Sequence, residues 1–260
     1  LPLFFAPLRA LIGFRSDVYP SYLGWRRVPF IWIGTLLQFG GLAILPFALI
    51  VLSGDTHGPV LYGQLAAFLA LLLVGAGMHT TQTVGLALAT DLARESQRPR
   101  VVALLFVMLL VGMFVSALLF GWLLRDFSQL RLIQVIQGAA ALTMILNVCA
   151  LWKQEARDPE RTLGAVDRNF ARAWRELRQD GRVMRLLVAV GMGTAGFAMH
   201  DVLLEPFGGQ VLGLSVGATT GLTALLAGGM LAAFAVAARR LGRGAEPHRI
   251  AAYGALVGVF

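Results

Sequence analysis

The chain has 260 residues, a net charge of +8 and a mean hydropathy of +0.73. Hydrophobic residues make up 57% and charged residues only 14%, against about 25% charged in a typical soluble domain. This excludes an ordinary water-soluble globule, which could not cover so much apolar surface with so few charges. It also excludes a disordered chain and a nucleic-acid-binding domain. The single cysteine, Cys149, sits in an apolar run and excludes a disulfide framework and a cysteine-based zinc site.

In chain order, Leu1 to Leu8 reads as the end of a membrane span. Charge-free runs then predict six complete spans, at 28–52, 60–90, 101–124, 131–152, 185–207 and 214–238; crossing a bilayer takes about 20 apolar residues. Ile250 to Phe260 reads as the start of another span. The chain is therefore expected to be a fragment of a longer membrane protein. Of the 22 basic residues, all but Arg125 and Arg131 fall in connections on one side, which the positive-inside rule makes cytoplasmic. Arg9, Arg15, Arg26 and Arg27 are counted on that side. The basic surplus is thus a topology signal, with anionic-lipid contact as a further use.

The longest inner connection, Lys153 to Arg182, contains a predicted helix at 168–182. Phe170, Trp174 and Leu177 fall at helical spacing among Arg168, Arg172, Arg175 and Arg178. Two readings stand: a helix in the headgroup layer, or a solvated linker touching the inner helix ends. A long central loop between two sets of spans is the pattern of transporter folds built from two six-helix halves. The expected fold is therefore an all-α helical bundle covering roughly helices two to nine. It divides into 1–152 (the end of helix two to helix six), a cytoplasmic linker at 153–184, and 185–260 (helices seven to nine, truncated).

Gly13-Phe14-Arg15-Ser16-Asp17 ends the first half-span, and Gly24-Trp25-Arg26-Arg27 precedes the next. This resembles the loop signature of the major facilitator superfamily, with about four extra residues between Asp17 and Gly24. Gly13 permits close helix approach, Asp17 can pair with an arginine or a helix N-terminus, and Arg26 and Arg27 anchor at the inner interface. The related stretch Arg239-Arg240-Leu241-Gly242-Arg243 lacks the aspartate.

Ionisable groups within spans are functional candidates. His79 lies 12 residues before Asp91, about 18 Å at a rise of about 1.5 Å per residue. A neutral imidazole there can ligate a metal or hydrogen-bond between helices. Thr80, Thr81, Gln82 and Thr83 follow it with donors and acceptors. Gln38 lies mid-span and suits an interhelical hydrogen bond. His200, Asp201 and Glu205 precede Pro206, which marks a kink or helix end. Asp201 and Glu205 share one helix face, as a proton or cation site, a ligand for an axial metal position, or interfacial carboxylates in water. Gly213, Gly217 and Gly221, with Gly228 and Gly229, predict a packing ridge. No catalytic motif is present, and an enzyme is not expected.

The stretches Pro7 to Asp17, Leu23 to Pro29, His79 to Ala89, Asp201 to Gly209 and Leu212 to Thr220 resemble the bacteriochlorophyll delivery family of the major facilitator superfamily, the PucC/LhaA type of assembly factor. The resemblance implies delivery of bacteriochlorophyll to antenna polypeptides of light-harvesting complexes 1 or 2 (LH1/LH2). The implied location is the inner (intracytoplasmic, chromatophore) membrane of a phototrophic bacterium. It also implies the reaction centre and bacteriochlorophyll synthase as further partners, and no nucleic acid. The pigment's central Mg would need an axial ligand, for which His79 comes first and His200 second. Asp201 and Glu205 could orient the pigment or bind an antenna partner. The rival expectations are a proton-coupled small-molecule transporter and a pigment-free membrane chaperone.

Overall fold

The computed structural model describes residues 8–19, 23–54, 59–157 and 169–257. They form nine α-helices and no strand among the described residues. The helices are α1 (Arg9–Val18), α2 (Val28–Leu52), α3 (Val60–Leu92), α4 (Arg98–Leu123), α5 (Gln129–Leu151), α6 (Phe170–Gln179), α7 (Gly181–Gln210), α8 (Val216–Gly242) and α9 (Pro247–Val257). Five of them, α2, α3, α4, α5 and α8, are long and apolar enough to cross a membrane. The remaining expected span, 185–207, lies inside α7, which is not among these five; Arg185, Asp201 and Glu205 interrupt its apolar run. The protein is an all-α membrane protein, as the charge-free runs predict.

Local chemistry sets the helix starts. The Ser128 hydroxyl accepts from the Arg131 amide, Asp180 accepts from the amides of Arg182 and Val183, and Ser215 accepts from Ala218. Each satisfies an amide that a helix leaves open at its first turn. The Asp180 cap corrects the predicted helix at 168–182. The helix is shorter, Phe170–Gln179, and Arg182 belongs to the helix that follows. Phe170 packs edge-on against Phe14 at 5.4 Å and stacks with Trp174 at 6.4 Å. One end of this helix is therefore held on the inner end of α1, while Trp174 and Leu177 stay exposed. Pro206 does not end α7, which continues to Gln210.

The chain packs as two compact units, Leu1–Val102 with Ser128–Arg175, and Ala103–Phe127 with Glu176–Phe260. In the first, α2 lies between α3 and α5, and α1 lies on α3. Helices in lipid gain little from burying apolar side chains, so close contact depends on small residues. Here α2 and α3 meet backbone to backbone. A Cβ on Gly77 would overlap the Gly34 carbonyl and the Gln38 amide, and one on Gly41 would come within 2.5 Å of the Ala70 carbonyl. The Asn147 amide of α5 donates to the Thr35 hydroxyl of α2 at 3.0 Å. Ile31, Val84 and Leu88 form a buried cluster lined by Ile12, Phe30 and Leu151.

In the second unit α7 and α9 pack on α8. The expected glycine ridge is corrected here. Gly213 is a turn residue at φ +64°, Gly217 meets the Gly121 carbonyl of α4, and Gly228 faces Phe114. Gly221 and Gly229 face open space. A repeat of four drifts around a helix of 3.6 residues per turn, so its members do not share one partner.

The glycines of the first unit therefore divide sharply. Gly77→Val should abolish monodisperse elution of the full-length protein in detergent, since the overlapped atoms are backbone and overpacking costs about 1–3 kcal/mol even where side chains can yield. Gly40→Ala and Gly85→Ala, which face open space, should elute as wild type.

Candidate functional site

The residues of the expected loop signature converge at one end of the first unit, where α1 and α3 end and α2 begins. Gly24 adopts φ +75°, a conformation open to glycine, and turns the chain into α2. Arg27 follows at the foot of α2 with 5% of its surface exposed. Its guanidinium donates through Nη2 to Asp91 Oδ2 at 3.0 Å, through Nε to the same oxygen at 3.1 Å, and through Nη1 to Ser16 Oγ at 2.7 Å. It also pairs with Asp17. The Ser16 hydroxyl in turn donates a hydrogen bond to the Gly13 carbonyl at 2.7 Å. Arg26 reaches Asp91 Oδ2 at 2.9 Å. A single buried guanidinium thus ties the ends of α1 and α3 to the start of α2.

The N-terminus of α2 has no acidic residue in its first turn. Its open amides are met from the far side of the unit. Glu155 Oε1 accepts from the Arg26 amide at 2.9 Å, and Oε2 accepts from Arg27 at 3.0 Å and Val28 at 2.9 Å. A carboxylate there also opposes the positive end of the helix dipole. Lys153, at φ +55°, turns the chain after α5. Two residues past Glu155, Arg157 lies over the Trp25 ring at 4.3 Å. The sequence allowed Asp17 either an arginine or a helix N-terminus. The structure gives Asp17 the arginine and Glu155 the helix.

Ser16, Asp91, Glu155 and Arg157 were not singled out from the sequence. Asp91 carried a signal, as an acid at the foot of a span. Glu155 carried none, because it lies 127 residues from Val28. A second correction concerns Arg9, which the charge count places in an inner connection. It lies on α1, and its Nε donates to Thr83 Oγ1 at 2.9 Å.

The intramembrane candidates lie as follows. In the first unit, His79 is 6% exposed. Thr80 and Thr81 donate to the Ala76 and Gly77 carbonyls of their own helix. Thr83 is engaged by Arg9, Gln82 is exposed, and Gln38 is half-buried against Gly77. In the second unit, Glu205 is exposed on α7 and accepts from the Thr223 hydroxyl of α8 at 2.6 Å. His200 and Asp201 belong to α7, but their side chains lie outside the described residues. Among the described residues no three His, Cys, Asp or Glu side chains group as a metal site.

His79 lies two residues beyond the point where α3 meets α2 backbone to backbone, and its Nδ1 is buried there.

The inner cluster makes a stability prediction. Glu155→Ala leaves the amides of Arg26, Arg27 and Val28, at the entry to α2, without this acceptor and should destabilise the full-length protein by about 1–3 kcal/mol, the range for hydrogen bonds to a charged group. Glu155→Gln keeps an oxygen acceptor and should lose less. Thermal unfolding in detergent measures both.

The chain matches the family described as PUCC protein over residues 1–260. It is 59% identical to Protein PucC of Rhodovulum sulfidophilum and 50% identical to Protein PucC of Cereibacter sphaeroides, with 100% of this chain aligned in both. It covers 59% and 57% of the length of those relatives. It is 25% identical, over 84% of this chain and 49% of the relative, to a Rhodobacter capsulatus protein named bacteriochlorophyll synthase 44.5 kDa chain. No solved structure matches it. A match along the whole chain, loop signature included, places this protein in the PUCC protein family.

Proposed function

We propose that this chain forms part of a membrane-embedded assembly factor that brings bacteriochlorophyll to the antenna polypeptides of light-harvesting complexes. The observation that carries this reading is the family match over all 260 residues, which takes in the inner charge cluster and the stretches around His79 and Asp201. The likeness to a chain named for bacteriochlorophyll synthase supports a pigment context. In this reading the protein sits in the bacterial inner membrane with its basic side toward the cytoplasm, following the positive-inside rule. Its clients are antenna polypeptides of LH1 or LH2, with the reaction centre and bacteriochlorophyll synthase as neighbours. It works by binding and positioning rather than by catalysis.

The chain's own residues supply a rigid base for such a role. The Arg27 cluster and the Glu155 cap lock α1, α2, α3 and α5 at their basic ends. Pigment contacts are sought at His79, whose Nδ1 is buried in the first unit, and among accessible groups such as Gln82. A second reading, proton-coupled transport, is favoured by Glu205, a carboxylate exposed on α7 and held by Thr223.

An absorption spectrum distinguishes these readings. The full-length protein, purified in mild detergent from phototrophically grown cells, should carry a near-infrared bacteriochlorophyll band through size exclusion. Colourless protein that retains antenna polypeptides would instead indicate a pigment-free chaperone. Colourless protein whose proteoliposome uptake is lost in Glu205→Gln would indicate a transporter.

A further inference from the structure

Arg9 is a cation far from the layer where the other charges of its unit meet. It lies eight residues before Asp17 on α1, and Thr83 lies eight residues before Asp91 on α3. Asp17 and Asp91 both bind Arg27. The two helices therefore run in register from one charged layer, and the Arg9–Thr83 bond stands about 12 Å from it at a rise of about 1.5 Å per residue. The helices approach closely at this level, since a Cβ on Gly13 would lie 3.5 Å from Thr83 Cγ2. An arginine at this depth ordinarily extends its chain toward the interface. Here the Nε–Thr83 bond holds it in place.

That bond occupies one of the five N–H donors of a guanidinium. Among the described residues, no carboxylate pairs with Arg9, and the acids of this unit's inner cluster are engaged with Arg26, Arg27 and the α2 amides. Among the described residues nothing bonds the Nη1 and Nη2 groups, which form the fork that matches a carboxylate. Leu8 and Leu11, 44% and 46% exposed, add open apolar surface at this level of the chain. A small, strongly hydrated anion would lose its water there without compensation, whereas an amphiphile would keep its tail against the leucines.

We propose that Arg9, positioned by Thr83, is a binding site for the carboxylate of a membrane-borne amphiphile. The site rests on where the guanidinium lies and not on the pigment reading. The probe is pheophorbide a, a metal-free tetrapyrrole with a free carboxylate, compared with its methyl ester, titrated by fluorescence into full-length protein in nanodiscs. Wild type should bind the acid about tenfold or more tightly than the ester, the size of one charge-assisted hydrogen bond. Arg9→Gln should bind acid and ester alike, Thr83→Val should lose part of the preference, and Arg15→Gln, at an exposed position of the same helix, should keep it. Oleate should displace the acid and inorganic phosphate should not. Equal binding of acid and ester by wild type, a preference that survives Arg9→Gln, or displacement by phosphate would each overturn the proposal. None of these results would remove a bacteriochlorophyll band from the purified protein, so the two readings fail separately.

Discussion

The first unit depends on one buried guanidinium. Arg27 reaches Asp91 at the end of α3, Ser16 and Asp17 at the end of α1, and its own backbone starts α2. Burying a charge is costly unless it is paired and hydrogen-bonded. Arg27 meets that condition only when three helix ends arrive together, which makes its burial a test of correct assembly. Glu155 adds the end of α5 by accepting from the amides that α2 leaves open.

Above that charged layer the constraint changes from charge to volume. Lipid tails are as apolar as leucine, so α2 and α3 gain from touching only where their backbones come close. Gly34, Gly41 and Gly77 provide that approach, and Asn147 adds a polar link from α5 to Thr35. This packing encloses His79.

Much of the architecture was legible from where charges are missing. The predicted starts of α2 and α3 coincide with the observed ones, because a charge-free run bounded by arginine or proline is a local property. The loop signature was also legible, since Gly13, Asp17, Gly24, Arg26 and Arg27 all take part in one cluster or its turn. What stayed hidden was the other half of that cluster. Asp91 and Glu155 are ordinary acids at helix ends, and nothing near them in sequence says that they meet Arg27 and the α2 amides. Arg9 misled for a related reason. Counting basic residues assigns a side to each, but cannot show that an arginine near a helix end is held by a threonine 74 residues away.

By itself, the sequence determined that this is an all-α membrane protein of several spans. Those properties follow from hydropathy and spacing along a single helix, which each segment carries alone. Only the tertiary structure decided which charges pair, which glycines touch and which intramembrane groups stay open. Those outcomes depend on groups far apart in the chain, where a carboxylate's partner is set by helix register and crossing geometry rather than by its neighbours in sequence.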